Sequence, residues 1–138
     1  MVDVNVWVAL ATPGHVHHVV AREWLEEAVE DRLLFCRVTQ MGFLRLVTNP
    51  RVMDISTVTA ARAWDAFDEF LRDSRVSYAA EPVDMEAHWR PYTSLPKTGP
   101  NFWTDAYLAA FAAAGGFTVV TFDHGFARFP DAPVRLLA

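Results

Sequence analysis

The chain has 138 residues, 52% of them hydrophobic and 21% charged, a length that fits about one domain. Its formal charge of −5, from 12 Lys plus Arg against 17 Asp plus Glu, excludes a global basic attraction for nucleic acid, so a nucleic-acid partner has to be met locally. The single cysteine, Cys36, excludes an internal disulfide. No apolar run approaches the about 20 residues that cross a bilayer. With no signal peptide in the opening residues, a reducing cytoplasm is the expected compartment.

Residues 2–10 form an apolar run interrupted by Asp3 and Asn5 and read as a first strand. Over 16–29, Val16, Val20, Trp24, Leu25 and Val29 recur at helical spacing. Residues 33–36 are a short buried-strand run, after which Thr39 caps a predicted helix over 41–47 that the Asn49-Pro50 turn signal ends. Ser56 caps a longer helix to about residue 73, with Val58, Trp64, Phe67 and Leu71 on one face. Residues 76–80 read as a third strand and 85–92 as a short helix. Pro91, Pro96, Gly99 and Pro100 mark 91–100 as a loop. Helix resumes at Thr104 and stops at Gly115-Gly116, followed by a strand over 118–122, a short turn or helix over 124–129 and a last strand over 134–137. No repeat, linker or low-complexity tract divides residues 1–138, which are expected to form a single domain. Strands alternating with helices give an α/β fold with a mostly parallel sheet of about five strands, covered on both faces.

Ligands of an open parallel sheet bind outside the carboxyl ends of its strands, where strand order reverses. If the chain returns to set its fourth strand beside its first, the order is 3-2-1-4-5 and the reversal lies between Asp3-x-Asn5 and Thr121-x-Asp123. The helix before the fourth strand runs antiparallel to it, which brings Thr104 and Asp105 over the same edge. Gln40, opening the helix after strand two, is expected to face this cluster as a neutral amide. Two carboxylates about 4 Å apart repel by roughly 4 kcal/mol at an effective dielectric near 20, so three need a cation among them. Oxygen-only ligands suit Mg²⁺ or Mn²⁺ rather than Zn²⁺. Such a metal activates a water against a phosphodiester and stabilises charge on the phosphoryl oxygens.

Other residues carry blander readings. His15, His17 and His18 do not share a helix face and suit a solvated helix entrance. Trp24, Trp64, Phe67, Phe70 and Leu71 suit a core or a dimer contact. Trp103 is expected to anchor the loop to the helix start, and Lys97 to be solvated. Arg45 lies near the rim and can meet an RNA phosphate or serve the surface equally well. Arg37, Arg51 and Arg128 complete a possible basic rim.

The segments Val2-Asp3-Val4-Asn5, Thr39-Gln40 with Gly42-Phe43-Leu44-Arg45, residues 103–110 around Thr104-Asp105, and Thr121-Phe122-Asp123 resemble the PIN domain. More narrowly they resemble the VapC toxins of bacterial toxin–antitoxin pairs, in order and over essentially the whole chain. The resemblance implies a three-layer α/β/α sandwich and a Mg²⁺- or Mn²⁺-dependent endoribonuclease. It further implies a homodimer, neutralised by a VapB antitoxin encoded beside it. By position, Asp3, Asp105 and Asp123 are the acidic metal site, with Asn5, Thr104 and Thr121 as polar neighbours. Gln40 departs from the glutamate that many PIN domains carry, which removes one negative charge. Only Met1 and Val2 precede Asp3, short of the about five residues of a usual strand, so the start is expected upstream.

Two other classes compete with a nuclease. A PIN-like module weakened at Gln40 acts through RNA or antitoxin binding alone. A receiver domain or an aspartate-nucleophile phosphatase shares the N-terminal Asp but uses a lysine, for which Lys97 is the only candidate.

Overall fold

The computed structural model describes all residues except Glu30, Leu95, Lys97 and Thr98; the expectation for Lys97 therefore falls outside the described residues. Val4–Ala11 is a helix, α1, not a strand. Asp3 caps it, its carboxylate accepting the Val4 N–H at 2.7 Å. Five of its eight residues, Val6 to Leu10, are buried, and an apolar run buried all round has no periodicity to separate helix from strand.

What remains of the first strand is the three residues before α1. The Val2 N–H donates to the Leu34 carbonyl at 3.1 Å, the Asp3 N–H to Val120 at 2.9 Å, and the Val120 N–H to Met1 at 2.9 Å. Val2 thus forms a single parallel bridge with Val120. On one side of it lie β1 (Leu33–Phe35) and β2 (Val76–Tyr78), paired in parallel. On the other lie β3 (Val119–Thr121) and β4 (Val134–Leu136), also parallel. Among the described residues there are four strands in two pairs, in place of the five expected.

Helices cover both faces. Along β1, Leu33 and Phe35 point into one apolar cluster and Leu34 into another, the alternation a strand imposes. The first cluster joins α1, α2 (His18–Glu27), α3 (Arg37–Val47) and α5 (Ala60–Arg72). The second joins α6 (Met85–Thr93) and α7 (Phe102–Gly115). This is the α/β/α arrangement.

Helix boundaries move with their caps. Thr39 does not begin α3; Cys36 does, and the Thr39 hydroxyl reaches back to accept the Cys36 N–H at 2.9 Å. Asn49 caps the short α4 (Pro50–Met53). Ser56 falls in a 3-10 turn, and Thr59 caps α5 through the Arg62 N–H at 3.3 Å. Pro91 lies in the last turn of α6 instead of opening a loop. Gly116, at φ 68°, closes α7 in the left-handed region that favours glycine.

The first cluster is aromatic. Trp7 stacks on Phe35 with centroids 3.9 Å apart and planes 9° from parallel. Phe67 and Phe43 meet Phe35 edge-on, and Phe70 packs against Trp7. Trp24 and Phe67 are core residues, as expected, whereas Trp64 and Leu71 are 48% and 41% exposed. Where α1 crosses α3, a Cβ on Gly42 would lie 2.7 Å from Val4 Cγ2, so glycine sets this approach. Truncating Trp7 to Ala removes the ring that joins α1 to β1 and is expected to cost about 3–5 kcal/mol, read as a lowered urea midpoint; a loss under about 1 kcal/mol would contradict the role given to this stack.

Candidate active site

The site starts from Asp3. One carboxylate oxygen caps α1; the other accepts the Thr121 hydroxyl at 2.7 Å and the Asn5 amide at 2.9 Å. Thr121, the last residue of β3, also accepts Asn5 Nδ2 and the Asp123 N–H, each at 2.9 Å. With its one proton on Asp3 and both lone pairs used, that hydroxyl is fully engaged. Asn5 Oδ1 in turn accepts the Phe122 N–H at 3.3 Å. The Asp-x-Asn and Thr-x-Asp spacings are therefore one interlocked unit, in which each short motif supplies what the other lacks.

Asp123 caps the 3-10 turn His124–Arg128, its Oδ1 accepting the Gly125 N–H at 2.6 Å. Asp105, in the first turn of α7, is buried. Its Oδ2 accepts from Arg128 Nη2 at 3.1 Å, and Arg128 Nε donates to the Gly125 carbonyl at 2.6 Å. Asp3, Asn5, Thr104, Asp105 and Asp123 line a cleft of about 520 Å³ together with Val38, Met41, Leu44 and Arg45 of α3.

The acids perturb one another. Burial holds Asp3 above the ordinary carboxylate range, against the pull of its hydrogen bonds from Thr121 and Val4. Asp105 is pushed up to about 7, first by burial, then by the charges of Asp123 and Asp3, with Arg128 opposing. Among the described residues no group of three His, Cys, Asp or Glu forms a ready metal cage. Both Asp3 oxygens are engaged by Val4, Thr121 and Asn5, whereas Gly125 and Arg128 engage one oxygen each of Asp123 and Asp105. The donor chemistry still fits a hard divalent cation: the donors are carboxylate and amide oxygen, and the repulsion that raises Asp105 is what such a charge relieves.

Most of the predicted site residues converge, but Gln40 does not join them. It is buried away from the cleft lining, and its Oε1 accepts from the Arg37 guanidinium one helical turn earlier. Arg37 itself lies 5.0 Å from the Tyr78 ring centroid. Of the expected basic rim only Arg45 lines the cleft. Thr121 is wholly buried, with its hydroxyl on Asp3 and the Asp123 N–H. Sequence reasoning missed the structural work of Gly125 and Arg128; the one available signal was their place just after Asp123. The three histidines are not a solvated entrance: all are half-buried, His17 stacks on Phe122 at 4.3 Å and the His18 ring meets the Ala9 carbonyl at 2.7 Å. Trp103 is 52% exposed, edge-on to Trp89.

The PIN domain family model matches residues 1–132. Ribonuclease VapC41 of Mycobacterium tuberculosis is 44% identical over 141 aligned residues, covering 99% of this chain and 97% of that protein. This chain belongs to the PIN-domain family, within the VapC group. A second VapC relative, Ribonuclease VapC38 of the same species, is 32% identical, with 99% and 96% covered. Among solved structures, VapBC2 from Rickettsia felis, bound to a DNA fragment from its promoter, superposes with a TM-score of 0.75 at 17% identity, covering 100% of this chain and 98% of that one. Mycobacterium tuberculosis VapC20, a Sarcin-Ricin loop cleaving toxin, gives 0.67 at 19% identity, with 91% of each chain covered. These two structures share the fold of the VapC-family chain described here.

The raised Asp105 makes a signed prediction for the metal-free protein. A carboxyl that is protonated more readily folded than unfolded stabilises the fold below its ordinary value of 3.8, and that contribution is lost as pH rises through about 7. Thermal midpoints measured in chelator are expected to fall over this window more steeply for the native chain than for Asp105→Asn. Parallel curves for the two proteins would show that Asp105 does not carry the shift.

Proposed function

We propose that this chain is a Mg²⁺- or Mn²⁺-dependent endoribonuclease, the toxin of a type II toxin–antitoxin pair, acting on RNA in the cytoplasm. The observation that carries this reading is the convergence of Asp3, Asp105 and Asp123, from three separate elements, on one cleft in a VapC-family chain. Those three carboxylates would hold the cation, which supplies Lewis acidity for hydrolysis of an RNA phosphodiester. Asn5 and Thr121 fix the orientation of Asp3, and the Thr121 hydroxyl also fixes the backbone at Asp123. Thr104, beside Asp105 on the cleft wall, is placed to orient a polar ligand there. Arg45, lining the same cleft as the acids, meets an RNA phosphate and offsets their repulsion for it.

A cognate VapB-type antitoxin is the expected restraint. Support comes from the apolar α3 residues of the cleft: Met41 is 61% exposed beside Leu44 and Arg45, and Trp64 stands half-exposed where α5 meets this face. A segment laid there covers both the apolar surface and the cleft. The similarity to the VapBC2 structure from Rickettsia felis supports a VapB partner. The chain is expected to act as a homodimer.

The test is cleavage of a mixed cellular RNA pool by antitoxin-free protein, with Mg²⁺ or Mn²⁺ titrated from a chelated baseline. Asp105→Asn is expected to reduce cutting by on the order of a hundredfold or more, with the fold retained by circular dichroism. The position of Gln40 favours one other reading, a weakened module acting by RNA or antitoxin binding, because its amide serves Arg37 instead of the cleft. On that reading the folded native chain cuts at no metal level while still binding RNA or the antitoxin.

A further inference from the structure

Two residues that the proposed chemistry does not use connect the acids from behind the cleft. Gly125 donates its N–H to Asp123 Oδ1 at 2.6 Å and accepts Arg128 Nε on its carbonyl at 2.6 Å. The same guanidinium then reaches Asp105 Oδ2 with Nη2 at 3.1 Å. Asp123 and Asp105, 18 positions apart in the sequence and on different elements, are thereby joined through one turn. Arg128 is three-quarters buried in its side chain and lies 5.4 Å from the centroid of the buried Phe129 ring. It is not among the residues lining the cleft, whereas both acids are.

Gly125 is what makes this link possible. A Cβ there would lie 2.5 Å from Arg128 Nη2 and 2.8 Å from Asp123 Oδ1. Gly125 does not have a positive φ, so glycine is needed for space between the two charged groups and not for backbone freedom. A planar guanidinium is also needed, because the Gly125 carbonyl and the Asp105 carboxylate are met by different nitrogens of one rigid group. A lysine ammonium at the same place has no such fork.

We propose that Arg128, seated over Gly125, is a positioning residue of the acidic site: it clamps the Asp123 turn to Asp105 from outside the cleft and so holds the two carboxylates in the arrangement that receives a divalent cation. The guanidinium anchors one Asp105 oxygen and leaves the cleft side of both acids to the ligand. Its charge also offsets the mutual repulsion of the acids while no cation is bound. The clamp itself needs no metal; its consequence for cation binding rests on the reading given under Proposed function.

The two parts are separable by experiment, using the full chain and two variants, Arg128→Gln and Gly125→Ala. The first removes the ion pair; the second leaves every donor and charge in place but fills the space the guanidinium occupies. In chelator, amide hydrogen exchange at Gly125 is expected to speed up at least about tenfold in Arg128→Gln, with the exchange of β3 unchanged. Exchange at Gly125 as slow as in the native chain would overturn the clamp. Calorimetric titration with Mn²⁺ is expected to show affinity at least about tenfold weaker in both variants. Mn²⁺ binding unchanged or tighter in Arg128→Gln would also overturn the proposal, since the guanidinium would then be a bystander or a competitor. A native chain that binds no Mn²⁺ would defeat the metal-dependent reading instead, and the exchange measurement would still decide whether Arg128 clamps the turn.

Discussion

A buried carboxylate at the third residue constrains everything else in this protein. Asp3 cannot lie inside the fold without partners for its oxygens, and it finds them in three places: the first N–H of α1, the Asn5 amide and the Thr121 hydroxyl. Each partner fixes a different part of the chain. The backbone N–H turns the chain from an extended segment into a helix, and Thr121 locks that turn to the end of β3. The first strand is consequently a single bridge at Val2, since the residue after it is already a cap.

The site that follows is a problem of charge placed where water is scarce. Three aspartates come from the start of α1, the first turn of α7 and the turn after β3. Asp3 and Asp123 serve as caps there, and the acids are costly for one another. The chain answers the cost unevenly: Asp3 is wrapped in hydrogen bonds, Asp123 holds a turn, and Asp105, raised by burial and by both other acids, faces Arg128. The α3 lining of the cleft is apolar apart from Arg45, so the site presents concentrated charge beside a surface that prefers to be covered.

The two apolar layers allow so small a sheet to carry this. Its strands are only three residues long, too short to define a fold by their own hydrogen bonds. Order comes instead from the stacked Trp7 and Phe35 on one side and the closely packed α7 on the other, whose residues 105–112 are all buried. The sheet is held because both faces are covered by helices, and the acids sit at the carboxyl ends of its strands, where such sheets bind ligands.

The alternation of helices and strands, the two-sided burial and the short Asp-x-Asn and Thr-x-Asp spacings could be read from the residues alone. Those features live in short spacings and in apolar patterning, which the local chain carries. They do not settle that residues 4–11 are helical, because a stretch buried on every side has no polar face to set a period. Nor do they settle where Gln40 turns: its amide could serve the cleft or a neighbouring arginine, and Arg37, one turn away, is the nearer partner. Above all, Arg128 read as one of several rim arginines until the fold placed its guanidinium on Asp105. Proximity between residues 105 and 128 is created by the packing of α7 against the turn after β3, and only the tertiary structure decides which charges meet.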